Sequence, residues 1–195
     1  MTSDDAIAIA DTKGPLFLLD MGHHKDGNVE ELWKKHFPQC YKKWHGWALS
    51  IEEVDYLLHQ PNSEIRVELV EGSPAEKLYE NMRKDNVLSI SLYKTLSQER
   101  YALRSGSQFG ALFIGYTLVQ SSAIPEALRR RQLKHGEVLF YLGPLSELEK
   151  VRAARVAASV GKEAHVCSPQ RKDGDNISWE LEVLQVRKRK RQRSP

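Results

Sequence analysis

Three side chains of this 195-residue chain are of the types that proton-transfer chemistry uses: the phenol of Tyr116, the imidazole of His135 and the ammonium of Lys162. An imidazole with an ordinary pKa of about 6.5 exchanges protons near neutral pH. A lysine supplies fixed positive charge where negative charge develops. A phenol, with an ordinary pKa of about 10, is a poor base unless a neighbouring cation lowers it, and Lys162 could be that cation. Taken one at a time, each has an ordinary explanation: a core tyrosine on an apolar strand, a solvated loop histidine, and a lysine at the negative end of a helix dipole. What lifts them above that is that they occur in order, each inside its own motif. Metal and nucleotide alternatives find less support. His23 and His24 with Asp20 and Asp26 lie around a turn, without an HxH or HExxH pattern. Cys40 and Cys167 stand far apart without a CxxC partner and read as inert buried thiols. Glu180 and Glu182 alternate on a strand without the lysine spacing of a metal-dependent nuclease, and no Gly-rich phosphate loop occurs. No metal and no cofactor is expected.

The elements that must position these groups follow from hydrophobic spacing and caps. Residues 15–20 make a short strand. Asn28 with Glu31, and Ser50 with Glu53, stand at capping-box spacing before helical apolar stripes. Ile65, Val67 and Leu69 alternate as in a half-buried strand. Gly72-Ser73-Pro74 breaks the pattern ahead of a charged helix from about Ala75 to Lys84, and a soft domain boundary falls near Asp85-Asn86. A helix around Ser91 to Glu99 leads into Tyr101 to Gly106. A strand from Ala111 to Val119 then places Leu112, Ile114, Tyr116 and Leu118 on one face. Residues 121–131 form a polar, basic insertion with Pro125. A strand from Glu137 to Leu142 precedes a helix that starts at Ser146 with Glu149 and stops at Gly161. Two strands, Glu163 to Cys167 and Ile177 to Val186, complete the pattern. The last carries Ile177, Trp179, Leu181 and Val183 on one face, as an interface strand would. The fold class expected is α/β, an α+β mixture. A small N-terminal α/β domain over 1–85 would precede a mixed sheet flanked by helices over 86–186, with a basic tail over 187–195.

The stretch Arg104-Ser-Gly-Ser-Gln-Phe-Gly-Ala-Leu-Phe-Ile-Gly-Tyr116 resembles the signature of the tRNA-splicing endonuclease family, in which a glycine and a Phe-Gly pair lead a strand ending in the catalytic tyrosine. His135-Gly-Glu-Val-Leu is similar to the segment that opens with that family's histidine. Arg155-Val-Ala-Ala-Ser-Val-Gly-Lys162 is similar to the helix end that carries its lysine. Leu112 stands where the family commonly has an acid, and the spacing from Tyr116 to His135 is longer than the family's. The resemblance implies a tRNA-intron endonuclease. In such an enzyme the ribose 2′-OH of the RNA substrate attacks the adjacent phosphorus without a metal, leaving a 2′,3′-cyclic phosphate and a 5′-hydroxyl. It assigns Tyr116 as the base or aligner of the 2′-OH. His135 then protonates the leaving oxygen and Lys162 stabilises the charged transition state. Arg152, Arg155, Ser159 and Lys162 recur at helical spacing along one stripe. The arginine matching Arg155 stacks on an extruded base, with Trp179 or Arg187 as candidate second jaw. Cys167-Ser-Pro-Gln170 resembles the subunit that cuts the 3′ splice site. The partners implied are intron-containing precursor tRNA and the other subunits of a heterotetramer. The alternative is a non-catalytic structural or RNA-positioning subunit of the same complex.

Charge bears on how RNA would be met. The net +3 conceals an asymmetry: residues 187–195 hold six of the 29 basic residues, leaving 23 bases against 26 acids, a net of −3, over residues 1–186. The body is therefore not a strongly basic coat for RNA. The terminal run reads as a nuclear-import signal or a loose nucleic-acid tether, and the expected location is the nucleus. With 41% hydrophobic residues the chain can bury a core, and no stretch reaches the roughly 20 apolar residues of a membrane span. The N-terminus carries acids where a signal peptide has bases, so a soluble intracellular protein is expected.

Overall fold

A computed structural model describes residues 6–13, 16–20, 47–59, 66–99, 101–117, 136–171 and 177–185. The expected helix after Asn28, the His23-His24 pair, Cys40, the insertion at 121–131, His135 and the tail with Arg187 lie outside these residues. The fold is α+β, with helices and two sheets, one of them a mixed five-stranded sheet. The chain divides into two compact units, one within residues 1–104 and 116–135, the other within 105–115 and 136–195.

In the first unit, β1 (Ala6–Lys13), β2 (Leu16–Asp20), β3 (Trp47–Leu49) and β4 (Arg66–Leu69) form a sheet in the order β3-β2-β1-β4. β1 runs antiparallel to β2 and parallel to β4, and β2 runs antiparallel to β3. Helix α1 (Ile51–His59) starts where Ser50 and Glu53 cap each other: the Ser50 amide donates to the Glu53 carboxylate at 2.8 Å, and the Glu53 amide donates to Ser50 Oγ at 3.4 Å. Helix α2 (Pro74–Asp85) begins with Pro at its first position and Ser73 Oγ accepting the Glu76 amide. One apolar core joins Ile9, Phe17, Leu49 and Val67 of the four strands to Ile51, Val54 and Leu57 of α1 and to Ala75 and Tyr79 of α2. Helix α3 (Val87–Glu99) buries Leu92, Tyr93 and Leu96, and its Tyr93 ring meets Tyr56 of α1 edge-on at 5.5 Å.

The second sheet has the order β5 (Tyr101–Ser105), β6 (Phe113–Thr117), β7 (Val138–Leu142), β8 (Glu163–Arg171), β9 (Ile177–Leu184). β7 lies antiparallel to β6 and parallel to β8, and β8 lies antiparallel to β9. The parallel pair requires a crossover, and α4 (Glu147–Ser159) supplies it. The Ser146–Glu149 capping box expected from the sequence opens this helix, with Ser146 Oγ accepting the Glu149 amide and Glu149 reaching back to the Ser146 amide at 2.7 Å. The buried face of α4 is Ala153, Ala154 and Ala157, small side chains that let the helix lie close to the sheet. Lys150 bonds Glu182 of β9 at 2.8 Å on the same side.

Candidate active site

The glycines of the signature build one turn. Gly106 lies against β6: a side chain there would meet the Phe113 carbonyl carbon at 2.8 Å. A short 3-10 turn, Ser107–Phe109, follows and is closed by Gly110 in the left-handed region at φ 66°, where other residues are strained. The Phe109 and Ala111 amides both donate to the Gly106 carbonyl, at 2.9 and 3.2 Å. The Leu112 amide donates to Phe140 of β7 at 2.8 Å, which sets the turn on the sheet. The Tyr141 hydroxyl donates to the Phe109 carbonyl at 3.3 Å. Burial pushes the Tyr141 phenol above its ordinary range, so it stays a donor at neutral pH.

Helix α4 delivers Lys162 through its terminator. Gly161 takes the left-handed conformation at φ 65°. The Gly161 amide donates to Ala158 at 3.3 Å and the Lys162 amide to Ala157 at 2.8 Å, a Schellman ending. The chain then turns directly into β8, where the Glu163 amide donates to the Glu137 carbonyl at 2.9 Å. Lys162 thus stands immediately before β8, beside the residues that lead into β7.

There its ammonium finds two partners. Nζ donates to the Gly136 carbonyl and lies 5.7 Å from the centroid of the Phe109 ring. Gly136 is itself clamped: a methyl in its place would overlap Ile114 Cγ1 and Cδ1, and the next amide, Glu137, donates to the Gly115 carbonyl at 2.8 Å. Three chain segments therefore meet at one end of β6, β7 and β8. Gly115 immediately precedes Tyr116, Gly136 immediately follows His135, and Lys162 bonds Gly136 directly.

The expected site residues fall as follows. Lys162 is half-buried and held as just described. Tyr116 occupies β6, as expected, and its side chain is 0% exposed. His135 lies outside the described residues. Arg152 and Arg155 are exposed on α4. Lys162 has left the helix, two residues past the Val160 cap, so the stripe of Arg152, Arg155 and Ser159 runs toward it without containing it. Trp179 is half-buried on β9 opposite Pro169. Sequence reasoning missed Gly136 and Phe109 as the contacts of Lys162. The Phe-Gly pair and the glycine after the histidine were visible, but their partner on a distant segment was not.

Among the described residues no three His, Cys, Asp or Glu side chains cluster as a metal ion would require. No described helix is long and apolar enough to cross a membrane. No curated protein matches the chain. Residues 86–179 match the model of the family described as tRNA intron endonuclease, catalytic C-terminal domain. That span holds the Gly106 turn, β6, the β7–α4–β8 crossover and Lys162. Signature, sheet and family model coincide there, and residues 86–179 form a domain of the tRNA-intron endonuclease family.

Proposed function

We infer that this chain is a catalytic subunit of the tRNA-splicing endonuclease, cutting intron-containing precursor tRNA at one splice site, the 3′ site. Tyr116 aligns or deprotonates the 2′-OH that attacks the neighbouring phosphorus. His135 protonates the departing 5′-oxygen, and Lys162 stabilises the charge on the phosphoryl oxygens. No metal takes part, and the products are a 2′,3′-cyclic phosphate and a 5′-hydroxyl. Arg155 and Arg152 meet the RNA on α4, with Trp179 or Arg187 as the second contact to an extruded base. The chain works in the nucleus inside a heterotetramer. In it, a small N-terminal domain to residue 85 precedes the nuclease domain over 86–186, and the basic tail follows.

The observation that carries this reading is the bond from the Lys162 ammonium to Gly136, the residue next to His135, where Gly136 abuts the strand that leads into Tyr116. A second reading, a structural or RNA-positioning subunit of the same complex, is favoured by the complete burial of Tyr116, because RNA would have to displace what covers the phenol.

One variant separates the two. His135→Ala, assembled with its partner subunits on an intron-containing precursor tRNA, is expected to abolish one cut and leave the other. If both cuts survive, catalysis by this chain is ruled out and the positioning reading stands. Mapping which end of the intron stays joined identifies the splice site.

A further inference from the structure

We propose that Phe109 is a positioning residue for cleavage: its ring is the floor on which the Lys162 ammonium rests, holding that charge in the direction the transition state needs. The proposal rests on the reading of Lys162 as the cation of the site.

An ammonium has three N–H donors on a long, freely rotating stem, and ordering it costs side-chain entropy. Here one donor is taken by the Gly136 carbonyl. A second direction is occupied by the Phe109 ring, 5.7 Å from Nζ to centroid, within the range at which a ring face attracts a cation. Two of three directions being filled, the third N–H is left with one direction to point in. A carbonyl alone would leave the ammonium free to swing about that bond, and a ring alone would leave it free to slide.

Phe109 is suited to this because the backbone that carries the ring is held at both its amide and its carbonyl. The ring sits at the end of a turn that Gly106 and Gly110 make possible, on a residue whose amide is bonded to Gly106 at 2.9 Å and whose carbonyl is held by the Tyr141 hydroxyl at 3.3 Å. Tyr141 is in β7, so the same strand that receives the Gly136 end of the site also pins the floor beneath Lys162. The phenylalanine therefore contributes an electrostatic surface rather than mere bulk. A leucine would match much of the volume and none of the quadrupole.

The test uses the full chain, assembled with its partner subunits for cleavage and alone for spectroscopy with labelled lysine. Phe109→Leu is expected to lower kcat for precursor tRNA by about five- to tenfold with KM little changed. Phe109→Trp, with a larger ring face, is expected to restore most of it, a rescue that a purely structural role would not give. In the free chain, the lysine ε-methylene resonance that disappears in Lys162→Ala should be shifted by the ring. It should move to the position of the other lysines in Phe109→Leu and stay displaced in Phe109→Trp. An unmoved resonance in Phe109→Leu, or a wild-type kcat in that variant, overturns the proposal. If Lys162→Ala itself cleaves at the wild-type rate, the catalytic reading beneath the proposal has failed instead. The resonance, which needs no substrate, tells the two failures apart.

Discussion

Gly136 carries more of the site than its lack of a side chain suggests. Its carbonyl takes the Lys162 ammonium, and the space where a Cβ would stand is filled by the buried Ile114 side chain. Gly136→Ala therefore has to push Ile114 aside or shift the strand start. Overpacking of this kind costs about 2 kcal/mol, and the shift would draw the carbonyl away from Nζ. The expected outcome is a lower urea midpoint together with slower cleavage. Ile114→Ala deletes the obstructing atoms, so the double variant should be less destabilised than the sum of the two single ones. Strict additivity would show that the collision with Ile114 is not the cause.

At the scale of elements, the buried ion pair of the first unit ties a helix start to a strand end. Glu53, in the first turn of α1, accepts from Arg104 Nη1 of β5 at 2.5 Å, with side-chain exposures of 4% and 21%. Burial pushes the Glu53 carboxyl above its ordinary range, and Arg104 and the Ser50 amide only partly pull it back. A raised folded pKa means that the native state holds its proton where the unfolded chain has lost it. The associated stability is present at low pH and declines as pH rises through the raised value. Arg104→Met removes the main opposing charge and raises the carboxyl further. Stranding one member of a buried pair costs about 3 kcal/mol, so the variant should be destabilised by that order at pH 7 and by visibly less at pH 5, where Glu53 can take up a proton. Equal penalties at the two pH values, read from urea midpoints, would mean that Glu53 is not the group stranded.

The elements most legible in the sequence were those written in local chemistry. Ser50 with Glu53, Ser146 with Glu149, and Gly161 before Lys162 each announce a helix end within a few residues, and each is found there. β1 was not legible: its start, Ala6-Ile7-Ala8-Ile9, lies in a segment read only for acids that a signal peptide lacks, and alanine is a weak strand former. β3, only three residues long, offers too little pattern to read. The contacts of Lys162 with Gly136 and Phe109 depend on strand order and register. No periodicity records those, although the glycines that make the contacts possible stood in plain view.

For the whole molecule, charge separates recognition from chemistry. Residues 1–186 carry a net −3 and the last nine residues carry six bases with no acid, so any general attraction to the phosphate backbone is concentrated at the C-terminal end. The site itself needs little of that attraction, because Lys162 is committed to Gly136 and Arg152 and Arg155 are local. Removing residues 187–195 should accordingly raise KM for precursor tRNA at low salt while leaving kcat close to that of the full chain. Each lysine or arginine withdrawn from a phosphate reduces the counter-ions released on binding. The slope of log affinity against log salt should therefore flatten by up to about four to five units if all six residues touch backbone. The difference between the truncated and full chains should shrink as salt is raised, since screening removes the tail's advantage first. Binding measured by anisotropy across a salt series, beside single-turnover cleavage, reads both quantities. An unchanged salt slope would assign the tail no RNA contact and leave nuclear import as its use, whereas a fall in kcat at saturating RNA would place part of the tail in the cleavage step itself.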